Sequence, residues 1–278
     1  MNSKLPKYML LYDEDCLVCK LYARFFAYLG ILPKESFLPW HRGIEMPELD
    51  FDHKLSMDKI ALIDTESNTN LYGIDSMLEV ISLKAKWIKT IGKTTIVYFL
   101  LTKLYDFIAL NRKIIAAIDC GDRCPCNPRK GYSQRIVLVL ISAFVVNYAT
   151  SIYFSENLKA YFIGNKAYGD YLFFFGQIGF QFIAFKILKE KNFYNYAGHL
   201  SFVSFLGALL LLVFHFGLQF IQYIGMEIDM LNPLCYGIVF SFMFYEHSRR
   251  LSIEKMTQWL SLTWFIYRLV IYPFAFKI

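Results

Sequence analysis

Apolar positions fall in two unlike arrangements along the chain. Up to about residue 130 they come in short runs broken by charge. Residues 8–12 form one such run and predict a buried strand. Residues 17–29 repeat at helical spacing and end at Gly30, with Pro33 beyond, so they predict a helix. Short runs at 36–40, 59–63 and 70–72 predict three more strands, the last two separated by a turn of Asp64, Glu66, Ser67 and Asn68. Asp75 or Ser76 is expected to cap a helix to about residue 83, and 94–110 predicts a longer amphipathic helix. A strand–helix–strand segment followed by a hairpin and helices is a thioredoxin-like α/β plan.

From residue 136 onward the apolar blocks lengthen. About five of them approach the ~20 residues that a helix needs to cross a bilayer, at 136–154, 171–188, 197–224, 231–245 and 257–276. The fourth is short and carries Pro233, and the fifth contains Arg268. The expected fold class is therefore an α/β thioredoxin-like N-terminal domain, residues 1–128, followed by an all-α multi-spanning transmembrane C-terminal domain, residues 129–278. A hydrophobic content of 56%, with 18% aromatic residues, agrees with a membrane protein.

Charge adds orientation. Arg129, Lys130 and Arg135 precede the first block, Lys189 and Lys191 follow the second, and Arg249, Arg250 and Lys255 separate the fourth from the fifth. In a five-helix count these fall on one side, which the positive-inside rule makes cytoplasmic. The expectation is a multi-pass protein of the cell inner membrane with a cytoplasmic N-terminal domain and an outside carboxyl terminus. The formal charge of +6 follows from this bias and calls for no nucleic acid. Residues 1–7 have no apolar export region, which places the first domain in a reducing compartment. Cysteines there serve catalysis or metal binding more often than structural disulfides.

Cys16-Leu17-Val18-Cys19 stands at the predicted strand-to-helix junction. Two cysteines three apart share one side of a first helical turn, where unpaired N–H groups and the helix dipole stabilise a thiolate. That thiolate is the nucleophile of thiol–disulfide exchange. The same spacing supplies half of many zinc sites, and it also arises by chance. Asp13, Glu14 and Asp15 oppose thiolate formation while Lys20 favours it, so a modestly activated, reducing-type dithiol is expected. Asp13 is a candidate acceptor for the Cys19 proton, with a plain turn role as the alternative.

Tyr12-Asp13-x-x-Cys16-x-x-Cys19 resembles the DCC thiol-disulfide oxidoreductase family. The resemblance continues in Leu71-Tyr-Gly73-Ile-Asp75-Ser76 and in Leu104-Tyr105-Asp106-x-x-Ala109-x-Asn111-Arg112, and it covers residues 8 to about 126. It implies a thioredoxin-like fold and dithiol–disulfide exchange, with Cys16 attacking and Cys19 resolving. The substrate would be a protein or small-molecule thiol or disulfide, and no cofactor is required. The chain departs from the family at Glu14, where Gly is common, and at Leu17, where Pro is common. It also offers no cis-proline candidate before the 59–63 strand, Met57 being nearest. Tyr12, Trp40 and Arg112 are expected to be packing or structural residues.

Cys120, Cys124 and Cys126 place three of the six cysteines within seven residues. They read as zinc ligands, with or without Cys16 and Cys19, as a second redox pair, or as an inert turn. The C-terminal half holds only Cys235, so cysteine pairs carry no electrons across a membrane. Its ionisable residues are costly inside a span and often functional. His215 is a candidate ligand-binding or paired residue, and Arg268 a candidate functional residue with Glu246 as a conceivable partner. His199 and His247 are expected at solvated interfaces. Two rivals to the oxidoreductase stay open: a structural or zinc-binding subunit of a membrane complex, and a transport or lipid-handling protein under redox control.

Overall fold

The computed structural model describes residues 5–14, 16–67, 69–117, 131–158 and 169–277, with side chains described to residue 270. The chain divides into two compact units, Met1–Gln134 and Arg135–Ile278.

The first unit is built on a four-stranded mixed sheet of order β2-β1-β3-β4. Its strands are β1 (Tyr8–Tyr12), β2 (Phe37–Pro39), β3 (Ala61–Asp64) and β4 (Thr69–Tyr72). β1 lies parallel to β2, with Leu10 opposite Phe37, and antiparallel to β3, with Leu10 opposite Leu62. β3 runs antiparallel to β4, with Leu62 opposite Leu71. Successive strand residues point to opposite faces. Met9, Leu11, Ala61 and Ile63 therefore meet Trp40, Leu49 and Phe51 on one face. Leu10 and Leu62 meet Phe26, Leu32 and Val80 on the other. Coverage of both faces explains why β1 and β3 read as unbroken apolar runs.

The helices of this unit are α1 (Leu17–Tyr28), α2 (Trp40–Ile44), α3 (His53–Asp58), α4 (Ile74–Ser82), α5 (Lys86–Gly92) and α6 (Thr95–Ile115). The sequence reading missed α2, α3 and α5, each too short to show a helical repeat. It also misplaced the cap of α4. That helix starts behind Gly73, whose φ of +63° and ψ of −127° suit glycine alone. Ser76 lies inside the helix and donates to the carbonyls of Leu71 and Ile60, tying α4 to the β3–β4 hairpin. Asp75 accepts from Tyr98 and Lys93 instead of capping.

The described part of the second unit consists of α7 (Tyr132–Glu156), α8 (Gly169–Ile187), α9 (Phe193–Tyr223), α10 (Leu231–Ile253) and α11 (Trp259–Lys277). Their core gathers Tyr153, Phe185, Tyr196, Leu200, Val203 and Trp264.

This architecture corrects the expected fold class. The described residues are 72% helical with one small mixed sheet in the first unit, and they do not form a thioredoxin-like domain joined to a multi-spanning all-α domain. Among the described residues only α7 and α9 are long and apolar enough to cross a membrane. Two of the other blocks are diluted by polar residues: Gln177 and Gln181 in α8, and Asn232, Glu246, Arg249 and Arg250 in α10. The outside placement of the carboxyl terminus rested on an odd count of five spans.

Candidate functional site

Cys16 is the N-cap residue of α1, in extended conformation at φ −91° and ψ 117°. The buried strand β1 ends four residues earlier, so the end of that strand sets where the helix begins. The Cys16 carbonyl accepts the first helical bond, from Lys20 at 2.9 Å. Cys19 lies one turn on and is buried at 8% exposure, while Cys16 is partly exposed. Both are free thiols. One accessible sulfur backed by one enclosed sulfur is the division of labour that exchange chemistry needs.

The pair is electrostatically unequal. The Cys16 thiol is lowered from 9.0 to about 6, first by a hydrogen bond from the Cys19 side chain. Burial opposes the shift, and the Cys19 backbone N–H and the Arg112 guanidinium add to it. Asp13 opposes it as the smallest of these influences, so the acidic run before Cys16 weighs less than its position in the sequence implies. Cys19 moves the other way: donation to Cys16 and burial hold its proton in place. A thiolate at Cys16 and a thiol at Cys19 is the resting state at neutral pH.

Arg112 is the residue that sequence reasoning undervalued. It reaches this site from the far end of α6 and is only 5% exposed. Its Nη2 donates to the Met57 carbonyl at 2.6 Å and its Nη1 to the Asp58 carbonyl at 3.4 Å. These bonds pin the end of α3 and leave a positive charge beside both cysteines. The available signal was a basic residue on the buried side of an amphipathic helix. Tyr105, one face-repeat earlier, accepts from the Ile60 N–H through its hydroxyl at 3.0 Å. Burial raises its phenol well above the ordinary range. Val18, Cys19, Tyr22, Ile60, Tyr105 and Arg112 line a cleft of about 300 Å³. Met57, nearest to the place of the missing proline, contributes its carbonyl to Arg112, and no described peptide bond is cis. Asp13 is buried close to the pair.

Cys120, Cys124 and Cys126 lie outside the described residues. Among the described residues no three His, Cys, Asp or Glu side chains gather as a metal site.

The polar candidates of the second unit do not form one centre. His215 donates from Nδ1 to Asn157 Oδ1 at 2.6 Å, and its Nε2 lies 3.6 Å from Glu156. Asn157 in turn reaches Asn232 on α10. Arg268 does not meet Glu246. Its Nε donates to Gln177 at 3.0 Å, its Nη2 to Ser204 at 3.3 Å, and its guanidinium stacks over Trp264. Glu246 takes Arg249 and Arg250 instead.

The two histidines expected at solvated interfaces are buried. His199 accepts from Arg250 at Nδ1, so its Nε2–H faces Glu254 at 3.1 Å. His247 lies between Ser261 and Tyr196, and the Tyr196 hydroxyl donates a hydrogen bond to Gln181 Oε1 at 2.9 Å. Apart from Glu246, which bonds within α10, these groups bond a neighbouring helix or turn, and all are hydrogen-bonded as buried polar groups require. No protein-family model, curated protein or solved structure matches the chain.

Proposed function

We propose that the protein is a thiol–disulfide oxidoreductase working through Cys16 and Cys19, the activity implied by its resemblance to the DCC family. The observation that carries the reading is the helix-start geometry of the pair: a partly exposed sulfur at the N-cap of α1, receiving a hydrogen bond from an enclosed sulfur one turn on. The Cys16 thiolate attacks one sulfur of a substrate disulfide and releases the other as a thiolate. Cys19 then loses its proton, to Asp13 or to the released thiolate, and attacks the Cys16 sulfur. The second substrate thiol leaves, and the pair ends as a disulfide. The substrate is reduced by two electrons, and an external dithiol restores the enzyme.

The same reading includes membrane attachment. α7 and α9 supply the apolar length. Both also present outward apolar stripes, Ile136, Leu140, Phe144 and Tyr148 on α7 and Val213, Phe216 and Phe220 on α9. Water-facing helices rarely carry such surfaces. The basic residues before α7 favour a cytoplasmic first unit at the inner membrane.

The test uses the full chain in detergent. Equilibration in glutathione buffers of graded potential, followed by alkylation and mass spectrometry, should show a reversible Cys16–Cys19 disulfide. Zinc is measured on the same sample. Thiols that stay reduced at every potential, or that stoichiometric zinc protects, would overturn the exchange reading.

A further inference from the structure

Three helices of the first unit leave large apolar side chains in the open, and neither the cysteine chemistry nor the spanning helices use them. On α6, Ile96, Phe99, Leu100 and Leu104 are exposed, Ile96 to 75%. Their helical spacing puts them on one side of α6. Trp87 and Ile91, one turn apart on the preceding helix α5, are exposed as well. On α1, Leu17, Leu21, Phe25 and Tyr28 form another exposed stripe. The opposite sides of these helices pack inward: Phe26 of α1 and Tyr105 of α6 join Leu10 and Leu62 on one face of the sheet. α1 and α6 therefore belong to one layer, and their stripes look out on the side turned away from the sheet.

The charge of this layer has one sign. No Asp or Glu occurs at 16–34 or at 80–105, which hold Lys20, Arg24, Lys86, Lys89, Lys93 and Lys103 among their cations. Glu79 and Asp75 of α4 pair with Lys89 and Lys93. Among the described residues, Lys20, Arg24, Lys86 and Lys103 pair with no carboxylate. Lys103 instead lies over the Phe99 ring, 5.5 Å from its centroid, so cation and stripe are interleaved.

Exposed apolar side chains among uncompensated cations suit helices that lie in the headgroup region of an anionic bilayer, their apolar residues at the acyl boundary. Trp87 is the residue type that gathers at such a boundary. Each Lys or Arg near an anionic surface strengthens binding about fivefold. The same chain carries α7 and α9, both long and apolar enough to cross a membrane, so a bilayer is a partner within reach. α6 is not a spanning candidate, because Lys103, Asp106 and Arg112 interrupt it. Its apolar stripe suits lying on a membrane and not crossing one.

We propose that the outer side of the α1 and α6 layer is a docking surface for the anionic headgroups of a bilayer, and that it holds the Cys16 end of α1 at the membrane. The proposal deepens the membrane reading by adding a contact made by the first unit itself.

The test reconstitutes the full chain into vesicles of phosphatidylcholine, alone or mixed with phosphatidylglycerol. Both carry a phospholipid with a diazirine near the glycerol, and mass spectrometry locates the label. In mixed vesicles Ile96, Phe99 or Leu100 of α6 and Leu21 or Phe25 of α1 should be labelled. In phosphatidylcholine alone that label should fall at least about fivefold, as it should in mixed vesicles for Lys86→Glu combined with Lys103→Glu. Label on Val213 and Phe216 of α9 should not change in either comparison. Labelled α9 with α1 or α6 bare would overturn the docking surface, as would first-unit label indifferent to lipid charge or to the double variant. Labelled α1 and α6 with α9 bare would overturn the spanning reading and leave the docking surface standing, and label on none of the three would overturn both. Should the double variant fail to fold, the two lipid mixtures decide on the unaltered protein.

Discussion

Alkylation of Cys16 should titrate near pH 6, because the thiolate receives the Cys19 proton donor and lies beside Arg112. In Cys19→Ala the apparent pKa should climb toward the ordinary 9.0, which the pH dependence of iodoacetamide trapping would read directly. An unmoved titration would remove Cys19 as the activating partner. The depressed pKa also sets a stability profile. The folded reduced protein holds a proton on Cys16 less tightly than the unfolded chain, so stability gains as pH rises from about 6 to 9 and the gain is lost as pH falls through 6. Its slope is at most about 1.4 kcal/mol per pH unit for one proton, and Cys16→Ser should flatten it in chemical denaturation of the reduced form. Arg112→Met should raise the Cys16 titration and cost about 1.5–3 kcal/mol, since the Met57 carbonyl loses a charged donor. The position of the cysteine pair was legible in the sequence because the apolar run of β1 stops just before it and the helical repeat of α1 begins at it. Arg112 was not, since nothing local to residue 112 shows that α6 folds its end back against residues 16 and 19.

Elements differ in how much of themselves they declare. β1 and β3 were readable because burial on both faces leaves only apolar residues, and α1 because Gly30 stops it. α2, α3 and α5 span seven residues or fewer and are held by tertiary contacts that no local repeat records. The hinge between β4 and α4 turns on Gly73, whose φ is +63°. Gly73→Ala should destabilise the protein by about 1–3 kcal/mol, through a disfavoured backbone and a Cβ 3.2 Å from Tyr105. Because Tyr105 also binds the Ile60 N–H, the same variant should disturb the cleft beside Cys19, visible as a shifted Cys16 titration. Ser76→Ala strands two carbonyl acceptors and should cost about 1–3 kcal/mol with that titration unmoved. In the second unit the polar residues misread as interfacial are helix-to-helix ties. A single histidine in an apolar block looks the same whether it meets water or, as His247 does, Tyr196 and Ser261.

For the molecule as a whole the open contrast is between an apolar surface that faces lipid and one that faces water. Five apolar blocks in sequence look alike by composition, yet among the described residues α7 and α9 alone meet the length and hydropathy that a span requires. The outward stripe on α9 separates the two environments. Val213 is 65% exposed and Phe216 62%, and both lie on the side turned away from the core. If that surface meets hydrocarbon, Val213→Arg should cost about 2.5–3.5 kcal/mol of insertion and push the protein out of the membrane fraction after alkaline extraction. If it meets water, the same change should alter stability by no more than about 0.5 kcal/mol and improve solubility. Ala208→Arg on the buried face should disrupt folding in either case. Wild-type-like retention of Val213→Arg after extraction, with Ala208→Arg lost, would therefore remove the α9 stripe from the membrane reading while leaving the chemistry of Cys16 and Cys19 untouched.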